Sequence, residues 1–159
     1  MHVIAGKAIA FAEALRPDFR VYQQQVLDNA QTLAKALTTR GYRLVSGGTD
    51  NHLMLVDLRG PDGPGITGRV AEHALHEAGI TVNMNLIPFD PEKPMFTSGI
   101  RIGTPAVTAR GFGAAEMEQI AAWMDGILRA PEDQTWQATV RCEVRALCAR
   151  FPIYPELAS

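Results

Sequence analysis

Ile100-Arg101-Ile102 lies between Gly99 and Gly103, and Thr104-Pro105 follows at once. This run predicts a short strand that passes directly into a helix, because Thr104 suits an N-cap and Pro105 the first helical position. Neighbouring strand residues point to opposite faces, so Ile100 and Ile102 belong to one face and Arg101 to the other. A guanidinium stays charged and presents its donors as a rigid fork. Three fates are open to it: a salt bridge to one of the chain's own carboxylates, a strand edge facing water, or a clamp for a ligand carboxylate or phosphate.

The stretch before that strand is stiff and irregular. Pro88, Pro91 and Pro94 fall within 83–95, and each proline also restrains the residue before it. Long connections without regular structure are often functional. Asn83 and Asn85 alternate with apolar residues and share a face if the chain is extended there. Turn formation and backbone capping are the commoner work of asparagine.

The rest reads mostly as helices. Ile4, Ala8, Phe11 and Leu15 form a stripe on a first helix that begins at or just after Met1. Pro17 ends it, and Asp18 is the expected cap of a second helix with Phe19, Tyr22, Val26, Ala30, Leu33 and Leu37 on its apolar face. Gly41 closes that helix. Tyr42–Ser46 and His52–Leu58 are expected strands, joined as a hairpin by Gly47-Gly48-Thr49-Asp50-Asn51. A surface loop over 59–65 leads to Thr67, which caps a third helix with Val70, Ala71, Ala74, Leu75 and Ala78 inward. Gly79 ends it, and Ile80–Val82 is a short expected strand. After the Arg101 strand come a short helix to Gly111, a longer one with Met117, Ile120, Ala121, Met124, Ile127 and Leu128 inward, and a last one with Trp136, Val140, Val144 and Leu147. Phe151–Pro155 is expected to dock as an extended tail. The order implies an α+β sandwich: a small, mainly antiparallel sheet covered by helices.

Composition removes several classes of function. The formal net charge is −2 over 159 residues, so no basic field favours nucleic acid. No apolar run reaches the roughly 18 residues needed to span a membrane, and the N-terminus lacks the order of a signal peptide. Cys142 and Cys148 fall about 240° apart around a helix, which disfavours their pairing and points to a reducing cytosol. His73 and His76 sit three apart on a helix without a third ligand, so solvated histidines are expected and no metal site. No nucleophile–histidine–carboxylate set or phosphate-cradling glycine loop is present.

Several ordered signatures go further. Ser46-Gly47-Gly48-Thr49-Asp50-Asn51-His52, Thr81-Val82-Asn83-Met84-Asn85, Pro88-Phe89-Asp90-Pro91, Thr97 to Ala106 and Thr108-Ala109-Arg110-Gly111 together closely resemble the C-terminal part of serine hydroxymethyltransferases, from Met1 to about Tyr154. The resemblance implies the small domain of a fold-type I pyridoxal-phosphate enzyme, cytoplasmic and oligomeric, that interconverts serine and glycine with tetrahydrofolate as one-carbon carrier. It implies that Arg101 binds the substrate carboxylate and that Asn85 meets the folate. Lys93, Pro94 and Met95 lie where the family also contacts folate, although many members have Ser-Pro-Phe there. It further implies that residues 1–40 link a large domain to a small domain over 41–159. The lysine that carries the cofactor, and the residues that hold its phosphate and ring, are expected before Met1, which would then be an internal position. On this reading the chain holds no catalytic or cofactor-binding residue and is inactive without a large domain or an intact homologue. The alternative is a non-catalytic interaction or small-anion-binding module derived from that domain.

Overall fold

A computed structural model describes residues 1–59 and 63–154. Helix α1 (His2–Ala14) is followed by α2 (Pro17–Thr39). Arg16, not Asp18, is the N-cap of α2, with Pro17 at the first helical position. Proline forces its predecessor into extended backbone while its own φ suits a helix, so the boundary moves one residue upstream. Asp18 instead sits in the first turn, 2.8 Å from Arg16, where it complements the helix dipole.

Helix α2 buries Val26, Ala30, Leu33 and Leu37, while Phe19 and Tyr22 on the same stripe are half-buried. Full burial of one such aliphatic side chain stabilises by about 1.5–3 kcal/mol. Gly41 has φ 92°, and the Tyr42 N–H donates to the Leu37 carbonyl at 3.2 Å, which completes the left-handed helix closure.

Among the described residues, four short strands form one sheet: β1 (Arg43–Leu44), β2 (Leu53–Asp57), β3 (Asn83–Asn85) and β4 (Gly99–Gly103). Their order is β1-β2-β4-β3, and every neighbouring pair is antiparallel. Two strands differ from expectation. β1 is cut short because Val45–Gly47 turns as a 3₁₀ segment with Ser46 at φ 64°. The third strand lies at Asn83–Asn85 instead of Ile80–Val82, because the Ile80 N–H is still spent closing the preceding helix on Leu75. Ladder pairing begins only after the chain has left that turn.

Helix α3 (Gly68–Glu77) is capped as expected, with the Val70 N–H donating to the Thr67 hydroxyl. Its inward stripe is Gly68, Ala71, Ala74 and Leu75, continued by Ala78. Val70 is one residue, about 100° around the axis, from Ala71 at the centre of that stripe, and it is exposed, which corrects its expected inward placement. Helix α4 (Pro105–Ala109) follows β4 directly, then α5 (Ala114–Arg129) and α6 (Gln134–Arg150). Thr104 holds the N-cap position of α4, yet its hydroxyl donates to the Val26 carbonyl of α2 at 2.9 Å instead of capping. Trp123 is buried as well, because α5 packs against α2 and α3 on one side and α6 on another. Its indole N–H donates to Glu143 at 2.6 Å.

The core lies between the sheet and the helices. Leu44, Met54, Val56, Ile100 and Ile102 meet Leu33, Leu37, Ala71, Leu75, Met117, Met124 and Ile127 there. No residue of α1 is buried. Of the tail, Phe151 docks edge-on against Phe112 with ring centroids 5.0 Å apart. Ile153 and Tyr154 are exposed, so extended docking stops at Phe151, and Pro155 lies outside the described residues. The same holds for Gly60, Pro61 and Asp62 of the expected surface loop. Among the described residues no helix is long and apolar enough to cross a membrane.

Candidate functional site

The helices cover one face of the sheet, and the site stands on the other. In β4 the buried residues are Ile100 and Ile102, whereas Arg101 is exposed. Register places Arg101 between Leu55 of β2 and Asn83 of β3, with Asn85 across from Gly99. Strand alternation therefore puts Leu53, Leu55, Asn83, Asn85 and Arg101 on one uncovered face. Arg101 and Asn85 line a common open groove there with Leu55, Ser46, Asp50 and Asn51 of the hairpin turn. That turn is held by its own side chains: Asn51 Oδ1 accepts from the Leu53 N–H at 2.7 Å, and the Thr49 hydroxyl donates to the Leu53 carbonyl.

Arg101 makes no hydrogen bond or ion pair with any described residue, unlike Arg43, Arg59, Arg129 and Arg141, which are all paired with carboxylates. Asp57 shares its face but is already taken. It is buried, Arg43 contacts one oxygen, and Arg59 approaches both at 3.1 and 3.2 Å. Burial pushes the Asp57 carboxyl upward, but the Arg59 and Arg43 hydrogen bonds outweigh it and hold the group below the ordinary range. Asp50 stands on the rim of the groove without an ion pair to Arg101. Of the three fates open to Arg101, the internal salt bridge is thus excluded among the described residues. A water-facing guanidinium with all donors available remains, beside Asn85. The Asn85 amide donates to the Leu86 carbonyl at 2.6 Å.

The other expected folate contacts lie apart. Lys93, Pro94 and Met95 are exposed on the proline-rich segment and do not line the groove with Arg101 and Asn85. The Lys93 carbonyl instead accepts from Phe96 and Thr97 N–H groups at 2.9 and 3.0 Å. His73 and His76 line a separate groove between α3, β3 and the turn before α6, where Arg69 and Arg141 also stand. Among the described residues, no three metal-ligating side chains gather at one point.

Asp90, within Pro88-Phe89-Asp90-Pro91, has a role that the sequence does not disclose. Its carboxylate accepts from the Ile87 N–H at 3.2 Å, the Glu92 N–H at 2.9 Å, the Ser98 N–H at 2.9 Å and the Ser98 hydroxyl at 2.6 Å. Burial opposes ionisation there, but the Ser98 hydroxyl and the three backbone donors prevail and lower its pKa to about 2. An aspartate just before a proline and seven residues before a Thr-Ser-Gly run was the available signal.

The chain's lysines are Lys7, Lys35 and Lys93, and none lines the groove. The groove therefore offers an exposed guanidinium and an amide but no lysine for covalent attachment of pyridoxal phosphate.

The family profile described as serine hydroxymethyltransferase matches residues 1–124, which include every strand of the sheet and the groove. A curated serine hydroxymethyltransferase from Jannaschia sp. (strain CCS1) is 59% identical over an alignment of 163 residues, covering 99% of this chain and 36% of that protein. The chain thus spans about a third of the length of that relative. By the family profile and this identity, the chain belongs to the serine hydroxymethyltransferase family.

Proposed function

We propose that this chain is the C-terminal small domain of a serine hydroxymethyltransferase and supplies half of a substrate site. Arg101 takes the carboxylate of serine or glycine, and Asn85 meets the folate co-substrate, with Lys93, Pro94 and Met95 contacting it from the proline-rich segment. A preceding large domain, joined through α1 and α2, or an intact homologue, carries pyridoxal phosphate and the residues that react. The chain alone is then inactive, and its place is the cytoplasm. The observation that carries this reading is a guanidinium on a central strand that pairs with no described residue, beside an asparagine, in a groove that no lysine lines.

Magnitudes set what the isolated half-site can do. Hydrogen bonds to a charged group contribute roughly 1.5–3 kcal/mol net, and a 1 mM ligand needs about 4 kcal/mol. Glycine should therefore bind with a Kd above about 1 mM, which NMR titration can follow. Signals of Arg101 and neighbouring strand residues shift in the native chain, and those of the neighbours stay still in Arg101→Ala. Arg101→Lys recovers little, because an ammonium cannot reproduce the fork. Incubation with pyridoxal phosphate followed by borohydride yields no adduct confined to one lysine. A stoichiometric adduct on one lysine with a serine-dependent spectral change would overturn the proposal.

A further inference from the structure

The segment between β3 and β4 is irregular, and β3 itself pairs through only Asn83, Met84 and Asn85. Asn85 is the last paired residue before the chain leaves the ladder. The ladder sets its register with Gly99, but as an end residue its placement relative to Arg101 also depends on what fixes the connection.

One carboxylate ties the two ends of the connection to each other, while Phe96 and Thr97 are held to α3 through their carbonyls by the Arg69 and Gly68 N–H groups. Asp90 reaches back to Ile87, two residues beyond Asn85, and forward to Ser98, three residues before Arg101. Ser98 is anchored in turn, since its carbonyl accepts from the Leu58 N–H at 3.0 Å. Ile87 is buried over the sheet: a Cβ on Gly99 would stand 2.5 Å from its Cγ2. Glycine at 99 is what lets Ile87 lie flat across the strand next to Arg101. The Asp90 carboxylate therefore closes a loop whose two ends are the backbone of the groove.

We propose that Asp90 is a positioning residue for the groove: by binding Ile87 and Ser98 together it holds Asn85 at a fixed spacing from Arg101. This rests on reading the groove as the ligand half-site, but the test does not depend on a ligand.

The test uses the 159-residue chain with Asp90→Asn and Ser98→Ala, which open the latch from either side. Amide exchange and side-chain NMR signals are followed in each. Loss of a hydrogen bond to a charged group should raise exchange at Ile87, Glu92 and the residue 98 amide by about tenfold or more. The Arg101 Nε–H and Asn85 amide signals shift in both variants, while α2 and α5 amides keep their protection. Unmoved Arg101 and Asn85 signals with an opened latch would overturn the proposal, and so would uniform loss of protection through α2 and α5 in both variants, which marks a role in folding alone. Arg101→Ala serves as the separate control. If it leaves glycine titration unchanged, the half-site reading fails, while the latch result stands or falls on its own signals.

Discussion

Asn29 has no exposed surface, yet it costs the core little because its amide is fully engaged. Its Nδ2 donates to the Thr108 hydroxyl and to the Phe112 carbonyl, both at 2.9 Å, and its Oδ1 accepts from Gln25 at 3.0 Å. Thr104 and Thr108 extend the same network to Val26 and back along α4. This knot fixes the start of α4, and so the end of β4, against α2. Asn29→Ala strands the Phe112 carbonyl and should cost about 1–3 kcal/mol, read as a lower midpoint of urea unfolding with unchanged slope. Asp57 and Asp90 make a second prediction at this scale. Both carboxyls are held below their unfolded values, Asp90 at about 2. Their contribution to stability is therefore full above the unfolded carboxylate value of about 4 and is lost as pH falls toward about 2. The melting temperature should drop across that window, and Asp90→Asn should flatten the drop. The outward face of Arg101 was legible in the sequence because strand alternation alone separates it from Ile100, whereas Asn85 stood out only through the family resemblance, its face being legible only if the chain is extended there. Asn29 and Asp90 were not legible, since their value lies in partners distant in sequence or in irregular backbone. Asn29 did sit three residues after Val26, on the edge of the apolar stripe.

At the scale of elements, the helices were readable because a 3.6-residue apolar period survives any tertiary context. The short strands were not all readable. A three-residue strand has too little alternation to register, so β3 was placed three residues early, where Ile80 and Val82 look more strand-like than Asn83 and Asn85. Trp123 was missed because one period finds one buried face, and α5 has two. Helix α1 is the opposite case: its periodic residues were identified correctly, yet none is buried. Removing residues 1–15 should therefore change stability by no more than about 0.5 kcal/mol. The melting temperature of the shortened chain, measured where both forms are monomeric, checks this. A large loss would mean that α1 supports α2 beyond the contacts it makes.

For the whole molecule, the exposed apolar residues are unevenly placed. Met1, Val3, Ile4, Ile9, Phe11 and Leu15 are all exposed on or beside α1, and Ile4, Phe11 and Leu15 share one stripe, an apolar surface of the kind that drives association. Sedimentation at micromolar concentration should show a dimer or larger species, reduced to monomer by Phe11→Glu with Leu15→Glu. A monodisperse monomer of the unchanged chain would count against self-association. The one-sided sheet has a different outcome. Because Ile100 and Ile102 face the helices while Arg101 and Asn85 face outward, tolerance to substitution should alternate along β4. A saturation library sorted once for abundance and once for ligand retention would then yield two combs offset by a single residue: fitness losses at 100 and 102 in the first sort, and at 101 in the second.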